Sequence, residues 1–480
     1  MGLGDQIDLP AGFEFGVATA SYQIEGAVDE DGRGRSIWDT FSHTPGRTHD
    51  ADTGDVACDH YHRYLEDVEL MRDLGVDSYR FSIAWPRVQP DGKGAPNKAG
   101  LDFYERLVDA LLSEGIAPAI TLYHWDLPQA LEDLGGWRER DTARRFAEYA
   151  SIVHDRLGDR AHRWITLNEP YCSSIIGYAI GRHAPGAREG HGALAAAHHL
   201  LLGHGLAVRA LRESARPGDQ IGVTLNLQPV SATSENSADV DAAARALLIS
   251  DLLFTDPVLA GRYPELARPT YGALTDFSFL HDGDLETIAA RLDFLGVNYY
   301  YPSRIAAADY AEPDPAKRTA ADLGTKEVIY DREELTAMGW PIDPDGLTRV
   351  LTWLKTSYPQ LPPVYITENG RACPDVIDEH GQVDDPDRVR YLDAHLRAIK
   401  PAIDAGVDVR GYYCWSLLDN FEWARGYAMR FGLVYTDYPT QRRIPKSSYH
   451  WFRSVIAAAK ASWQPTPLTG EGATNDDRAG

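Results

Sequence analysis

The sequence predicts one closed (β/α)8 TIM barrel, an α/β fold with long βα loops at its C-terminal mouth. Eight short runs rich in β-branched and aromatic residues alternate with amphipathic helical stretches along the 480-residue chain, the pattern that parallel βαβ units leave. No linker or shift of composition divides the chain, so residues 1–465 read as a single barrel unit and 466–480 as a disordered tail. Counting alone leaves an open doubly wound sheet as the alternative, because closure is not written in a sequence.

The first strand is expected at residues 13–20. Tyr61, Tyr64, Leu65, Val68, Met71 and Leu74 then recur at helical spacing, and Gly75 can end that helix before a second strand at 78–85. Phe103, Leu107, Ala110 and Leu111 make the next apolar face. Gly115 stops it, and 117–125 follows as a strand. Asp141 can cap a helix bearing Phe146, Tyr149, Val153 and Leu157, closed by Gly158, ahead of a strand at 162–169. The remaining strands are expected at 221–229, 293–300, 363–368 and 409–418. These strands extend over about 400 residues where a plain barrel needs roughly 250, so the excess belongs in long connections at the mouth, chiefly 26–59 and 301–344.

Composition narrows the function. Hydrophobic residues at 44% and charged residues at 25% fit a globular enzyme and exclude a disordered or fibrous chain. With 47 Lys and Arg against 71 Asp and Glu, the net charge is −24, which repels phosphodiesters and anionic headgroups unless a basic patch intervenes. None of useful length occurs, so neither nucleic acid nor a membrane is an expected partner. Met1 to Pro10 lacks a basic stretch followed by an apolar one, and no run reaches bilayer length, so a soluble, cytoplasmic protein is expected. Its four cysteines, Cys58, Cys172, Cys373 and Cys414, have neither metal nor disulfide-scaffold spacing and read as reduced, buried small hydrophobes. His60, His62, His198, His199 and His204 lack HExxH spacing or a third ligand. Neither metal nor cofactor is expected, and the oligomeric state is left open.

The strand ends carry the chemistry. Gln23 follows the first strand, Arg80 lies in the second, His124 and Trp125 end the third, and Asn168 and Glu169 end the fourth. Asn298 and Tyr300 finish the sixth, Glu368, Asn369 and Gly370 the seventh, and Trp415 the eighth, with Glu422 and Trp423 just beyond. Parallel strands bring all of these to one mouth. A glycosidic oxygen must be protonated to leave, while an oxocarbenium-like centre wants a carboxylate on its other face, so paired carboxylates suit glycoside cleavage. Indole faces suit the C–H side of a pyranose, and amides and imidazole suit its hydroxyls.

The local strings Phe15-Gly16-Val17-Ala18-Thr19-Ala20-Ser21-Tyr22-Gln23-Ile24-Glu25-Gly26, Tyr79-Arg80-Phe81-Ser82-Ile83-Ala84-Trp85-Pro86-Arg87, Thr166-Leu167-Asn168-Glu169-Pro170 and Ile366-Thr367-Glu368-Asn369-Gly370 stand in that order, each at a predicted strand end. In these stretches the chain resembles the family 1 glycoside hydrolases, the β-glucosidase family, from residue 13 to about 452. The resemblance implies a retaining β-glycosidase acting by double displacement on terminal β-D-glucosyl residues of β-glucosides and short oligosaccharides, cellulose fragments among them. It implies Glu169 as acid/base, Glu368 as nucleophile, and Arg80 and Tyr300 as the groups that hold the nucleophile ionised. It also implies Asn168 at the 2-hydroxyl, Gln23, His124, Glu422 and Trp423 at the other glycone hydroxyls, and Trp125 beside them. Trp415 would be the floor, Asn298 and Phe431 the wall, and Trp340 the platform beneath the leaving group. Thioglucoside-cleaving relatives carry Gln for the acid/base Glu, and 6-phosphoglycoside relatives lose the Trp after the glycone-binding Glu. Here Glu169 and Trp423 both stand, so an unphosphorylated sugar is expected, with side activity on β-galactosides and β-fucosides.

Plainer readings stand beside these. Glu368-Asn369-Gly370 is also a common turn string, and Arg80 is also a plausible buried ion-pair residue. Trp85, Trp137, Trp353 and Trp451 read as packing, and Gly32-Arg33-Gly34-Arg35 as a structural loop. The alternatives from other classes are a non-catalytic sugar-binding barrel, which usually lacks a carboxylate, and a metal-dependent barrel hydrolase.

Overall fold

The computed structural model describes residues 7–331 and 333–463. Eight parallel strands form a closed barrel: β1 (Glu14–Ala18), β2 (Ser78–Ser82), β3 (Ala117–Tyr123), β4 (Arg163–Asn168), β5 (Gln220–Asn226), β6 (Phe294–Asn298), β7 (Val364–Asn369) and β8 (Val409–Trp415). Successive strands pair, and β8 returns to β1 with Glu14 opposite Gly411 and Ala18 opposite Trp415. Closure removes the open-sheet alternative. The predicted tail, 466–480, lies outside the described residues.

Most of the strands are shorter at their C-terminal ends than the sequence predicts, and for one reason. The chain leaves the ladder where its side chains turn toward the mouth: Gln23 sits on the one-turn helix Ser21–Ile24, while His124 and Glu169 each follow the last residue of their strand. The outer helices include His60–Leu74, Lys98–Ser113, Arg140–Leu157, His191–Glu213 and Pro344–Ser357. Gly75, at φ +80°, ends the first of these as expected. Tyr61, Val68, Met71 and Leu74 are buried along it, but Leu65 is exposed, because it follows Tyr64 by about 100° around the helix. Asp141 lies inside the first turn rather than at the cap, where its charge still favours the helix dipole.

The long connections are built, not loose. Residues 301–344 contribute Ser303–Ala307 and Thr325–Glu327, which form a small sheet with Val230–Ala232 beside the mouth. In residues 26–59, Ser36 and Asp39 form a reciprocal cap on the helix Ile37–Ser42. Arg33 of the Gly-Arg-Gly-Arg string donates to Asp39 at 2.9 Å, so that string is a structural loop. At the opposite end of the barrel, Arg163 ties Glu14, Tyr365 and Tyr413 together, with 2.8 Å to the Tyr413 hydroxyl. Among the described residues no helix is long and apolar enough to cross a membrane. All four cysteines are free and buried.

Candidate active site

A cavity of about 400 Å³ opens at the C-terminal mouth. Of the predicted site residues, His124, Trp125, Glu169, Asn298, Tyr300, Trp340, Glu368, Trp415, Glu422, Trp423 and Phe431 line it. Arg80 and Asn168 stand behind that wall and are hydrogen-bonded to it, through Glu368 and His124, while Gln23 is bonded to Asn420 and Phe421 just ahead of Glu422.

The network starts from Arg80 on β2. Its guanidinium donates to Glu368 Oε1 at 2.7 Å, to Asn168 Oδ1 at 2.6 Å, to the Thr367 carbonyl at 3.0 Å and to Thr121 Oγ1 at 3.1 Å. Tyr300 donates to the other Glu368 oxygen at 2.8 Å. Asn298 accepts from Thr367 Oγ1 at 2.7 Å and donates to Glu169 Oε1 at 2.7 Å and Asn168 Oδ1 at 3.1 Å. Cys172 completes the shell of Glu169, its Sγ 3.2 Å from Oε2. The thiol is therefore part of the site and not the inert small hydrophobe that its sequence context suggested.

The two carboxylates have unequal surroundings. Burial pushes Glu169 up to about 8, and the Glu368 charge adds to this; its hydrogen-bond donors, Asn298 and Cys172, are both neutral. Burial also raises Glu368, against the ionising effect that the resemblance assigns to Arg80 and Tyr300. Arg80 works against that rise, as do Tyr300 and Asn298. A guanidinium in direct contact with Glu368, and none with Glu169, leaves Glu368 the ionised member and Glu169 the proton holder.

Several of the residues that the resemblance assigns to the glycone present unmet hydrogen-bonding atoms. Asn168 Oδ1 accepts from Arg80 and Asn298, so its amide nitrogen faces His124 Nε2 at 3.0 Å and donates to it. That places the imidazole proton on Nδ1, which is buried and without a partner. Burial, then the Arg80 charge, hold His124 well below its ordinary range, so the ring is neutral. Gln23 donates to Asn420 Oδ1 at 3.0 Å and to the Phe421 carbonyl at 2.9 Å, which leaves its Oε1 buried and unpaired. Glu422 Oε2 is likewise unpaired, and burial followed by the Glu368 and Glu169 charges pushes this carboxyl up to about 8. A donor, an acceptor and a carboxyl thus await polar partners, as a polyhydroxylated ligand supplies.

Aromatic rings frame them. His124 lies nearly parallel to both Trp415 and Trp423, with centroids 5.8 and 5.9 Å away, and Trp125 meets Trp423 at 4.5 Å. Trp340 contacts Tyr300 at 5.4 Å and Phe431 at 6.1 Å, and stacks on Tyr301 at 4.9 Å. Trp125, Glu169 and Trp423 take positive φ of 76°, 50° and 49°, a conformation that costs about 1–3 kcal/mol for a non-glycine residue and persists where the surroundings enforce it. After Glu368 and Asn369 only glycine fits, since a Cβ on Gly370 would lie 1.8 Å from the Trp415 carbonyl oxygen.

Sequence reasoning missed part of the wall, including Tyr171, Cys172, Arg182, His183, Asn226, Tyr301 and Arg425. Asn226 was within reach, because it ends β5 as the other site residues end their strands. The others sit on loops, on or beside the π-helix Cys172–Ile180, and on the one-turn helix Trp423–Arg425, where no periodic signal marks which side chain faces the cavity.

The model of the glycosyl hydrolase family 1 matches residues 5–461. The chain belongs to glycosyl hydrolase family 1. Within the family it is 50% identical over 459 residues to the bifunctional β-D-glucosidase/β-D-fucosidase of Bifidobacterium breve, covering 94% of this chain and 98% of the relative. It is 52% identical over 453 residues to the thermostable β-glucosidase B of Thermobispora bispora, covering 94% and 91%. A solved β-glucosidase from Thermotoga maritima in complex with castanospermine superposes with a TM-score of 0.88 at 45% identity, over 94% of this chain and 99% of that one. This family 1 enzyme is therefore a glycosyl hydrolase in which both carboxylates of the motif strings are retained, which disfavours a silent sugar-binding barrel.

Proposed function

We propose that this enzyme is an exo-acting, retaining β-glucosidase that removes terminal β-D-glucosyl residues and tolerates galacto- and fuco-configured glycones. The observation that carries the reading is the inequality of two carboxylates on one cavity, Glu368 clamped by Arg80 and Tyr300 and Glu169 pushed up to about 8. Ionised Glu368 attacks the anomeric carbon as Glu169 gives its proton to the departing glycosidic oxygen. The aglycone leaves and a glycosyl ester forms on Glu368. Esterification removes the Glu368 charge, so Glu169 loses one cause of its raised proton affinity and can take a proton from the water that hydrolyses the ester. Asn298 hydrogen-bonds Glu169 and also favours ionised Glu368, so both carboxyls border one amide, which supports the short separation of a retaining pair.

Gln23, His124, Glu422 and Trp423 hold the glycone hydroxyls, Asn168 the 2-hydroxyl, Trp125 flanks them, and Trp415 lies under the ring. The glucosidase/fucosidase name of the Bifidobacterium relative supports a glycone site tolerant at C4 and C6. We further place the enzyme in the cytoplasm, with one catalytic unit over residues 1–465 and its four free cysteines reduced.

The test is a panel of aryl β-glucoside, β-galactoside, β-fucoside and 6-phospho-β-glucoside with wild type and Glu368→Ala. Strong turnover of the first, little of the last and near-complete loss in the variant are expected. Azide should restore release and yield an α-glycosyl azide. A variant that keeps most of its activity overturns the assignment of Glu368.

A further inference from the structure

We propose that the mouth of this site selects β-glucosides whose aglycone is an aromatic ring bearing a carboxylate. The inference rests on the glucosidase reading above and deepens it. It starts from two side chains that the mechanism leaves unused.

Arg182 and Arg425 both line the cavity and are exposed at its opening. Neither guanidinium makes a hydrogen bond or ion pair with another described residue. Other arginines of the mouth loops are engaged: Arg430 with Asp419 at 2.8 Å, Arg371 with Glu334 at 3.0 Å, and Arg138 with Glu189 at 2.8 Å. The backbones that carry the two unengaged ones are tied down. The Arg182 amide donates to the Ile176 carbonyl at 3.2 Å just after the π-helix, and the Arg425 amide donates to the Glu422 carbonyl at 2.8 Å. Ten N–H donors on anchored backbones thus face a cavity whose chain carries a net charge of −24.

The cavity wall that the two arginines share is rich in aromatic faces. Tyr301 stacks on Trp340 at 4.9 Å with 21° between planes, and Tyr171 lines the same wall. One carboxylate, Glu327, shares this rim and accepts from Ser303 at 3.1 Å, so the rim carries two cations against one anion. Of the deeper carboxyls, Glu169 and Glu422 are each pushed up to about 8 and the ionised Glu368 is paired with Arg80, so together they oppose an incoming anion little at neutral pH. A carboxylate on the aglycone would gain a guanidinium partner without displacing an existing one, at exposed positions where such pairs are worth little individually and are screened by salt.

The experiment measures kcat/KM for 4-carboxyphenyl and 4-carbamoylphenyl β-D-glucoside with the full chain, Arg182→Gln, Arg425→Gln and the double variant, at low and high ionic strength. The carboxylate-to-carbamoyl ratio cancels leaving-group differences between enzymes, and it is insensitive to the fraction of a variant that is folded. It should fall about three- to tenfold in the double variant, and wild type should lose a similar part of it at high salt. A ratio unchanged by both substitutions overturns the inference, as does a wild-type ratio indifferent to salt. Should the carbamoyl substrate turn over while the ratio stays fixed, only this inference fails. Should wild type hydrolyse neither, the glucosidase reading fails with it.

Discussion

The floor and the rim of this cavity are made of the same residue types but organised oppositely. At the floor, Arg80, Asn168, Asn298, Thr367 and Glu368 sit on or beside β2, β4, β6 and β7, all buried and joined by bonds of 2.6–3.1 Å. At the rim, Arg182, Arg425 and Glu327 are exposed, and among the described residues the one side-chain hydrogen bond they make is that from Ser303 to Glu327. A charge at the floor is fixed by several partners at low dielectric, so its loss is felt throughout the network; a charge at the rim faces water, and its loss is felt by whatever ligand meets it. The division suits an enzyme whose bond-breaking groups are fixed at the floor while its discrimination among leaving groups is set at the rim.

Arg80→Met strikes the floor at its most connected residue. Removing one partner of a buried pair costs about 3–5 kcal/mol. Here that cost falls on Glu368, the proposed nucleophile, which must either stay ionised without its guanidinium or take up a proton. With each 1.36 kcal/mol worth a factor of ten, kcat/KM on an aryl β-glucoside should drop about 10²- to 10⁴-fold, alongside a lower thermal midpoint. A loss under tenfold would mean that the floor is no more tightly coupled than the rim.

The same difference explains what the sequence could and could not disclose. Barrel strands alternate with helices at a readable rhythm, and a strand end is a fixed address at the mouth, so Gln23, Arg80, His124, Glu169, Asn298, Glu368 and Trp415 could be placed together before any fold was seen. Asn226 obeyed that rule and was passed over. The rim obeys no periodicity: Arg182 follows a π-helix, Arg425 closes the one-turn helix Trp423–Arg425, and Glu327 ends a three-residue strand inside a connection that read as irregular. Their placement depends on how loops pack against each other, and that information is distributed over the whole chain.

A second test probes the charge stored at the floor. Glu422 is pushed up to about 8 when folded, against roughly 4.3 for an unfolded glutamate. Between these values the native state binds more protons than the unfolded one. The stability from this group is therefore complete below about pH 4.3 and is lost as pH rises through about 8. Gln does not titrate, so Glu422→Gln should gain on wild type across that window. The difference in Tm between them should move by at least about 2 °C in the variant's favour from pH 5 to pH 8. A constant difference would show that Glu422 is solvated like a rim carboxylate.

The smallest expected effect is the most local. Burial and the adjacent Glu169 raise the Cys172 thiol well above its ordinary range, so it stays protonated and donates across 3.2 Å to Glu169 Oε2. A donor on a carboxylate favours its ionised form. Cys172→Ala removes that donor and should shift the alkaline limb of kcat/KM, which reports the proton on Glu169 in the free enzyme, upward by about half a unit. Cys172→Ser supplies a stronger hydroxyl donor of similar size and should shift it downward. The order Ala above Cys above Ser is what a donor predicts, whereas a residue that merely fills space would move both variants the same way or neither. Measured on a substrate with a poor leaving group, where protonation by Glu169 limits the rate, the ordering either places Cys172 with the floor of the site or returns it to the packing around it.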